Sequence, residues 1–495
     1  MTILRYVEQK TLEYLEHSPK AERKTIGQFF TSAETAFYMA GLFCISNHVE
    51  ELSILDPGAG TGILSAALIE KLQAFPNLKH IQLTCYENNP KILELLKKNL
   101  EWISLHSCKE VEFCIISDNY ILAQAAEYNN FIDAAQNPHQ YDLVICNPPY
   151  KKIPANAPEA HVMKDVCYGA PNLYFLFAEM ALFNLKDNGE MVFIIPRSWT
   201  SGAYFKKFRG RFFERGSLEH IHLFASRNKV FDAEDVLQET MIVKVRKTTK
   251  SPVNISITTS VSTRDFSDHT CFDVPYDDIV RGSEKYVFLP TDLQELETLR
   301  KLEEWKETLP SLGLRMKTGL TVDFRNRDLL RDLPEKHTVP LFYSQHIQDG
   351  RVVFPVGKEK EFILANQKGL LQKNTNYLFM KRFTAKEEHR RLQCGVYLSN
   401  KFPEYQTIST QNKINFIAGD HDLSECVVYG LYVLFNSTLY DRYYRILNGS
   451  TQVNSTEVNS MPMPPMQVIE AMGRDLLRKK DLSEQSCDII LRNYL

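Results

Sequence analysis

The chain has 495 residues, of which 44% are hydrophobic and 24% are charged, a composition that excludes a disordered chain and predicts two or three globular domains. Its formal net charge is −3, so any affinity for a polyanion must come from local basic patches rather than from the mean charge. No apolar run reaches the ~18 residues of a membrane span, and the charged amino terminus lacks the apolar stretch of a signal peptide, so we expect a cytoplasmic location and no membrane partner.

Strand and helix patterns alternate along the first half of the chain. Apolar runs predict strands at residues 53–56, 81–87, 111–117, 141–146 and 190–196, with helices over 33–42, 61–72 and 174–185 and another beginning at Pro90. Two further β-rich runs follow at residues 218–224 and 240–245. The alternation predicts a doubly wound α/β fold with a parallel sheet, whose ligands bind at the carboxyl ends of the strands.

A glycine-rich turn follows the first predicted strand. The residues of this turn predicted to bind a ligand are Asp56, Pro57, Gly58, Gly60 and Gly62. Glycine lets backbone N–H groups approach a ligand closely, and the helix that follows adds a favourable dipole. Dinucleotide enzymes use similar turns, so the turn alone predicts only a nucleoside-like ligand.

Acidic residues also end the second and third predicted strands. Glu87, followed by Asn88, lies where a carboxylate can accept hydrogen bonds from both ribose hydroxyls. Asp118, followed by Asn119, could accept a hydrogen bond from an adenine amino group. Acids at three successive strand ends, together with the glycines, favour a nucleoside cofactor over ordinary caps and solvated loops.

The fourth predicted strand ends in Asn147-Pro148-Pro149-Tyr150. The Asn147 side-chain oxygen and the Pro148 carbonyl could accept hydrogen bonds from a planar amine and draw its nitrogen toward tetrahedral geometry. Pro149 would stiffen the loop, and Tyr150 could stack on the acceptor. This motif predicts the class of acceptor, a planar amine or amide nitrogen, more firmly than its identity.

These motifs and their order resemble the gamma class of DNA adenine-N6 methyltransferases from bacterial restriction–modification systems, over about residues 24–245. The resemblance implies a Rossmann-like, seven-stranded methyltransferase sheet that binds S-adenosyl-L-methionine (AdoMet) and needs no metal. It also implies that an adenine flipped out of duplex DNA stacks on Tyr150 and on Phe231. The stretch Gly27–Ser32 is similar to one that covers the cofactor, which makes Phe30 and Thr31 predicted contacts, with Thr31 or Ser32 capping the next helix.

We expect a catalytic domain over residues 1–250 and a mixed α+β target-recognition domain over residues 251–495, with duplex DNA between them. Met461–Pro465 should break the chain before one terminal helix. Basic residues among aromatics suit contacts with DNA, and they are Arg315, Lys317, Arg325, Arg327, Lys381, Arg382, Lys386, Arg390 and Arg391, interleaved with Phe324, Tyr377, Phe379 and Phe383. Ordinary exposed charges remain the alternative for each.

Residues 235–239, after Phe231, most resemble modification enzymes of the PstI and BsuBI kind. A separate restriction endonuclease is then the expected partner. Two alternatives stay open, namely methylation of RNA or of a protein amide, and a non-catalytic DNA-specificity subunit. The ten cysteines contain no Cys-x2-Cys pair, so we predict reduced structural thiols and no metal site.

Overall fold

The computed structural model describes residues 1–17, 30–130, 140–224, 240–260, 266, 270–385, 388–448 and 452–495. The chain forms two compact units, Met1–Val287 and Phe288–Leu495. The division lies at residue 287 rather than near the expected 250, because the strands Asn254–Ser260 and Thr270–Pro275 extend the first sheet. Within the described residues, none of the helices combines the length and the apolar character needed to cross a membrane.

A nine-stranded sheet organises the first unit, in the order β3-β2-β1-β4-β5-β7-β6-β8-β9. Its strands are β1 Glu51–Asp56, β2 His80–Tyr86, β3 Glu110–Ile116, β4 Tyr141–Cys146, β5 Leu185–Pro196, β6 Gly216–Phe224, β7 Thr240–Lys247, β8 Asn254–Ser260 and β9 Thr270–Pro275. Strands β1 to β5 are parallel, and β7 runs antiparallel to β5 and β6.

The seven expected strands all occur side by side, and two further strands among the described residues extend the sheet to nine. Strand β8 pairs in parallel with β6, and β9 then pairs antiparallel with β8. These additions cover the backbone groups that β6 would otherwise expose at an edge. The strand order reverses between β1 and β4, which opens a crevice at their carboxyl ends.

Helices connect these strands. They span Ile3–Glu16, Ala33–Gly41, Ile63–Leu72, Pro90–His106, Tyr120–Ala123, Ala125–Asn130, Pro158–Val162, Leu173–Asn184, Lys206–Arg215 and Tyr276–Ile279, and a small hairpin of β10 Val280–Arg281 and β11 Tyr286–Val287 follows. The cap of the second helix is Ser32, whose hydroxyl accepts a hydrogen bond from Thr35 N. The helix Leu173–Asn184 is buried almost throughout, so its Glu179 pairs with Arg211 and Arg215.

The described residues of the second unit form two sheets. The six-stranded sheet has the order β12-β22-β19-β20-β16-β15, and the five-stranded sheet has the order β13-β17-β14-β21-β18. Their strands are β12 Leu314–Thr318, β13 Leu330–Arg331, β14 Thr338–Phe342, β15 Ile347–Gln348, β16 Arg351–Val352, β17 Phe362–Leu364, β18 Gln372–Lys373, β19 Tyr377–Lys381, β20 Cys394–Tyr397, β21 Thr407–Thr410 and β22 Ile414–Gly419.

Helices complete this unit, and they span Leu293–Leu302, Glu425–Phe435, Thr438–Leu447, Ser455–Asn459, Met466–Lys479 and Glu484–Arg492. Two helices, rather than the one expected, follow Met461–Pro465. The aromatics Tyr377 and Phe379 belong to the core. Arg391 is fully buried, and Arg390 pairs with Glu484 at 2.9 Å. Three of these residues are buried and Arg390 is held in an ion pair, which corrects the expectation that the four contact DNA.

Candidate active site

A cavity of about 540 Å³ lies at the carboxyl ends of β1, β2, β3 and β4. The predicted residues that line it are Phe30, Thr31, Pro57, Gly58, Gly60, Glu87, Asn88, Asp118, Asn119, Asn147, Pro148 and Pro149. The structure thus brings the glycine turn, the strand-end residues and the Asn-Pro-Pro motif together around one space. Of the predicted residues that the structure describes, Asp56, Gly62 and Tyr150 lie outside the lining.

The glycine turn shapes one wall of the cavity. Gly60 and Gly62 have φ angles of 55° and 85°, which side-chain-bearing residues rarely adopt. The N-cap of the helix Ile63–Leu72 is Gly62, which has no side chain to cap it, and both Ile63 and Leu64 line the cavity. The backbone N–H groups of Ile63 and Leu64 can therefore approach an anionic group in the cavity.

Asp56 lies beneath the turn instead of facing the cavity. Its side chain is fully buried and accepts a hydrogen bond from the Ser65 hydroxyl at 2.7 Å. Burial raises the pKa of the Asp56 carboxyl to about 7. Asp56 was predicted to contact a ligand. Its carboxyl group instead links the end of β1 to the helix that follows.

The Glu87 carboxylate reaches the cavity from the end of β2. It accepts hydrogen bonds from Gly60 N at 2.9 Å and from Asn89 N at 2.8 Å. Burial raises the pKa of Glu87. Because a carboxylate offers about four acceptor positions, these backbone donors still leave capacity for a hydroxyl group of a ligand.

The residues at the end of β3 divide into two roles. Asp118 is exposed at the cavity. Asn119 caps the following helix by accepting hydrogen bonds from Ile121 N and Leu122 N, and its amide nitrogen donates to Glu159 Oε1 at 2.8 Å. The side chain of Asn119 is therefore a structural bridge at the rim.

The Asn147 carboxamide is held by a residue far away in the sequence. Its Nδ2 donates to the Thr31 hydroxyl at 3.0 Å, and both residues line the cavity. This hydrogen bond orients the amide plane of Asn147. Thr31, which was predicted as a cofactor contact, is 7% exposed and positions the motif residue.

Tyr150 anchors the loop through its hydroxyl group. It is 7% exposed, and its hydroxyl donates to the backbone oxygen of Ile194 on β5 at 2.9 Å. This hydrogen bond ties the loop that begins at Asn147 to strand β5. Phe231, the second predicted stacking residue, lies outside the described residues.

The prediction missed several residues that line the cavity, and they are Tyr14, Tyr86, Lys91, Tyr120, Glu159 and Phe177. The rings of Tyr86 and Tyr120 meet edge to face with centroids 5.0 Å apart, and Phe177 lies 5.2 Å from Tyr120. Gln124 Nε2 donates to the Tyr86 hydroxyl at 2.7 Å, which fixes that ring. Tyr86 and Tyr120 adjoin the predicted Glu87 and Asn119, a signal that could have identified both.

Comparisons with known proteins identify the family of this chain. A protein-family profile described as Eco57I restriction-modification methylase matches residues 63–231. Type II methyltransferase M.PstI of Providencia stuartii is 34% identical over 476 residues, which cover 93% of this chain and 90% of that protein. Type II methyltransferase M.BsuBI of Bacillus subtilis is 33% identical over 462 residues, with coverages of 91% and 90%. The predicted similarity to the PstI and BsuBI kind is confirmed.

One solved structure aligns with nearly the full length of the chain. The type IIL restriction-modification enzyme MmeI, solved in complex with DNA, aligns with a TM-score of 0.53 over 99% of this chain and 74% of that chain. Sequence identity is 12%, so the likeness concerns the fold alone.

Proposed function

Because the chain belongs to the type II restriction–modification methyltransferases, we propose that it transfers a methyl group from AdoMet to N6 of a specific adenine in duplex DNA. The modification would protect DNA from a separate cognate endonuclease. One observation carries the proposal: the oriented Asn147 carboxamide shares its cavity with the glycine turn and the Glu87 carboxylate. A nucleoside cofactor and a planar amine could therefore meet there.

The residues present fit AdoMet. The uncapped helix start at Gly62 suits the amino-acid carboxylate, and Glu87 has acceptor capacity for a ribose hydroxyl. Asp118 is exposed in the cavity and could accept from the adenine amino group, while Tyr120 and Phe177 supply aromatic walls. When bound, AdoMet supplies an electrophilic methyl group on its sulfonium.

Asn147 and Pro148 would prepare the acceptor. The lone pair of an adenine N6 amine is delocalised into the ring, so the amine is a weak nucleophile. Acceptance of hydrogen bonds from its two N–H groups by the Asn147 side-chain oxygen and the Pro148 carbonyl would direct the lone pair toward the methyl donor. Thr31 holds the carboxamide in place. Asn147 does not titrate, so it acts by orientation, and the surplus proton leaves after transfer.

The flipped base needs stacking partners. We propose Phe231 and the ring face of Tyr150 for this role, although Tyr150 first serves to hold the loop through its hydrogen bond to Ile194. Target recognition is assigned to the second compact unit, Phe288–Leu495.

Asn147→Ala tests the assignment. The variant should lose about 100-fold or more in methyl transfer while AdoMet binds with the affinity of the wild type. Labelled AdoMet would be offered with phage DNA free of methylated adenine, with RNA and with protein extract, and the product identified by mass spectrometry as N6-methyladenine, N4-methylcytosine or another species. Ordinary turnover by the variant, or label in RNA or protein instead of adenine, would refute the proposal.

A further inference from the structure

A short turn in the second unit gathers three separate segments of the chain. Gln411–Lys413 joins β21 to β22, and Asn412 N donates to the Thr321 backbone oxygen at 2.8 Å. Arg382 N donates to the Lys413 oxygen at 2.9 Å, and the Arg382 guanidinium donates to the Asn412 oxygen at 3.0 Å. Residues 320–327, 381–385 and 411–413 therefore form one continuous surface, which we name the 411–413 surface.

Hydrogen bonds and a close backbone contact hold the 411–413 surface in place. Gln411 Nε2 donates to Asp323 Oδ2 at 2.9 Å. A Cβ at Gly319 would overlap the backbone oxygen of Gln411, so only glycine allows the two segments this close. Val453 N donates to the Arg382 oxygen at 2.7 Å and adds a third anchor. Side chains that project from the surface thus have a fixed base.

Two phenylalanines project from it into solvent. Phe324 is 61% exposed and Phe383 is 47% exposed. Each ring lies beside an arginine, with Arg325 Cζ 5.6 Å from the Phe324 centroid and Arg382 Cζ 5.6 Å from the Phe383 centroid. Leu320, 37% exposed, adds apolar area to the same surface. Three large apolar side chains around one turn form a patch of the kind that marks a binding surface.

The charged residues of the 411–413 surface indicate which kind of partner it binds. The three segments contain one acid, Asp323, and five basic residues, namely Arg325, Arg327, Lys381, Arg382 and Lys413. Arg325, Arg327 and Lys413 are exposed, whereas the Asp323 carboxylate accepts from Gln411. In a chain whose formal net charge is −3, this local excess of positive charge is complementary to a polyanion.

We propose that the 411–413 surface binds duplex DNA, with Phe324 and Phe383 packing against or between bases and with Arg325, Arg327 and Lys413 on phosphates. Exposed aromatics flanked by arginines provide this combination, since rings stack on bases and guanidinium groups pair with phosphate oxygens. The inference rests on the proposed function, in which DNA is the substrate, and it assigns the contact to particular side chains.

Binding of the full chain to fluorescent duplex DNA, free of methylated adenine, tests the surface by anisotropy between 50 and 200 mM salt. Phe324→Ala with Phe383→Ala should weaken binding about tenfold or more. Arg325→Gln with Arg327→Gln should lower the slope of log affinity against log salt by about 2. All variants should keep the wild-type affinity for AdoMet and the wild-type thermal midpoint, because the replaced side chains are exposed.

Matched controls come from the same unit. Leu333→Ala removes a side chain that is 72% exposed, and Lys479→Gln with Arg492→Gln removes two exposed cations from the last two helices. Neither should change affinity or salt slope.

The outcomes separate the two proposals. If the wild type binds and methylates DNA and the aromatic and arginine variants behave like it, the surface assignment is overturned. If those variants keep DNA binding but lose association with a protein partner, the surface is a protein interface and the assignment also fails. If the wild type neither binds nor methylates DNA, the proposed function itself fails, and the surface assignment falls with it.

Discussion

A single hydrogen bond orients the uncharged group on which the proposed chemistry depends. The Asn147 carboxamide can act only through the direction of its oxygen, and the Thr31 hydroxyl accepts from its nitrogen at 3.0 Å. Rotation of the amide by half a turn would exchange oxygen and nitrogen. Thr31 is therefore a positioning residue for the acceptor site.

Thr31→Val keeps the shape of the side chain and removes this acceptor. We expect kcat for methyl transfer to fall about tenfold, because a buried donor loses its partner, while KM for AdoMet changes little. Thr31→Ser should retain most activity, which makes it the matched control. Steady-state kinetics at saturating DNA measure both constants. If Thr31→Val instead raises KM for AdoMet at unchanged kcat, Thr31 is a cofactor contact, as the sequence suggested.

Tyr14 reaches the cavity from the amino-terminal helix Ile3–Glu16, which is anchored to the glycine turn by a hydrogen bond between the Thr11 and Thr61 hydroxyls at 2.7 Å. Tyr14→Ala should weaken AdoMet binding about fivefold through loss of aromatic contact. Leu12→Ala, on the same helix and 55% exposed, should have no effect. Isothermal titration calorimetry compares them, and equal affinities would show that Tyr14 makes no cofactor contact.

At the scale of single residues, the sequence predicts those site residues whose position follows from the order of the strands. Glu87, Asp118 and Asn147 follow parallel strands of one sheet, so their common location was expected. The sequence could not reveal that Asp56 is buried or that Tyr14 lines the cavity, because both depend on packing between distant segments. The hydrogen bond between Thr31 and Asn147 also depends on packing between distant segments.

Close approach of two helices determines the packing of the second unit. A Cβ at Gly430, in Glu425–Phe435, would overlap the backbone oxygen of Ile469, and a Cβ at Gly473, in Met466–Lys479, would overlap that of Cys426. The two backbones therefore touch where each helix has a glycine. A larger residue at either position must separate the helices.

Gly473→Ala should lower the free energy of unfolding by about 3 kcal/mol, because the overlap is with backbone that cannot move aside. Gly210→Ala is the control, since nothing lies within 4 Å of a Cβ there and the residue is inside the helix Lys206–Arg215. That substitution should stabilise the chain by about 0.5–1 kcal/mol. Urea unfolding followed by circular dichroism compares the variants, and a neutral Gly473→Ala would contradict the packing.

Periodicity in the sequence predicts single helices and strands better than it predicts which strands join one sheet. The alternation through residue 196 and the two β-rich runs after it gave seven strands, whereas β8 and β9 fell in the region assigned to recognition. The pattern changes near residue 250 because helices stop alternating with strands, although the sheet continues. Short strands such as β15 and β16, with two residues each, carry too little pattern to be recognised.

At the scale of the whole molecule, buried ionisable groups make the free energy of unfolding depend on pH. Lys247 donates to the Phe183 and Leu185 backbone oxygens, and burial lowers its pKa to about 8. Its contribution to stability is complete above its ordinary value of 10.5 and is lost as pH falls through about 8. Asp56 acts in the opposite direction. Neither effect follows from composition, since both arise from burial.

Asp56→Asn isolates the carboxyl contribution. Burial raises the pKa of Asp56 from 3.8 to about 7, so between these values the folded chain holds a proton that the unfolded chain releases. This contribution is complete below pH 3.8 and is lost as pH rises through about 7. The wild type should therefore lose about 2 kcal/mol between pH 5 and pH 8 relative to Asp56→Asn, which keeps the side-chain shape and does not titrate. Urea unfolding of both proteins at the two pH values measures the difference, with AdoMet left out so that ligand linkage does not contribute. Parallel pH dependences would mean that Asp56 is ionised throughout, and that the glycine turn covers a buried negative charge.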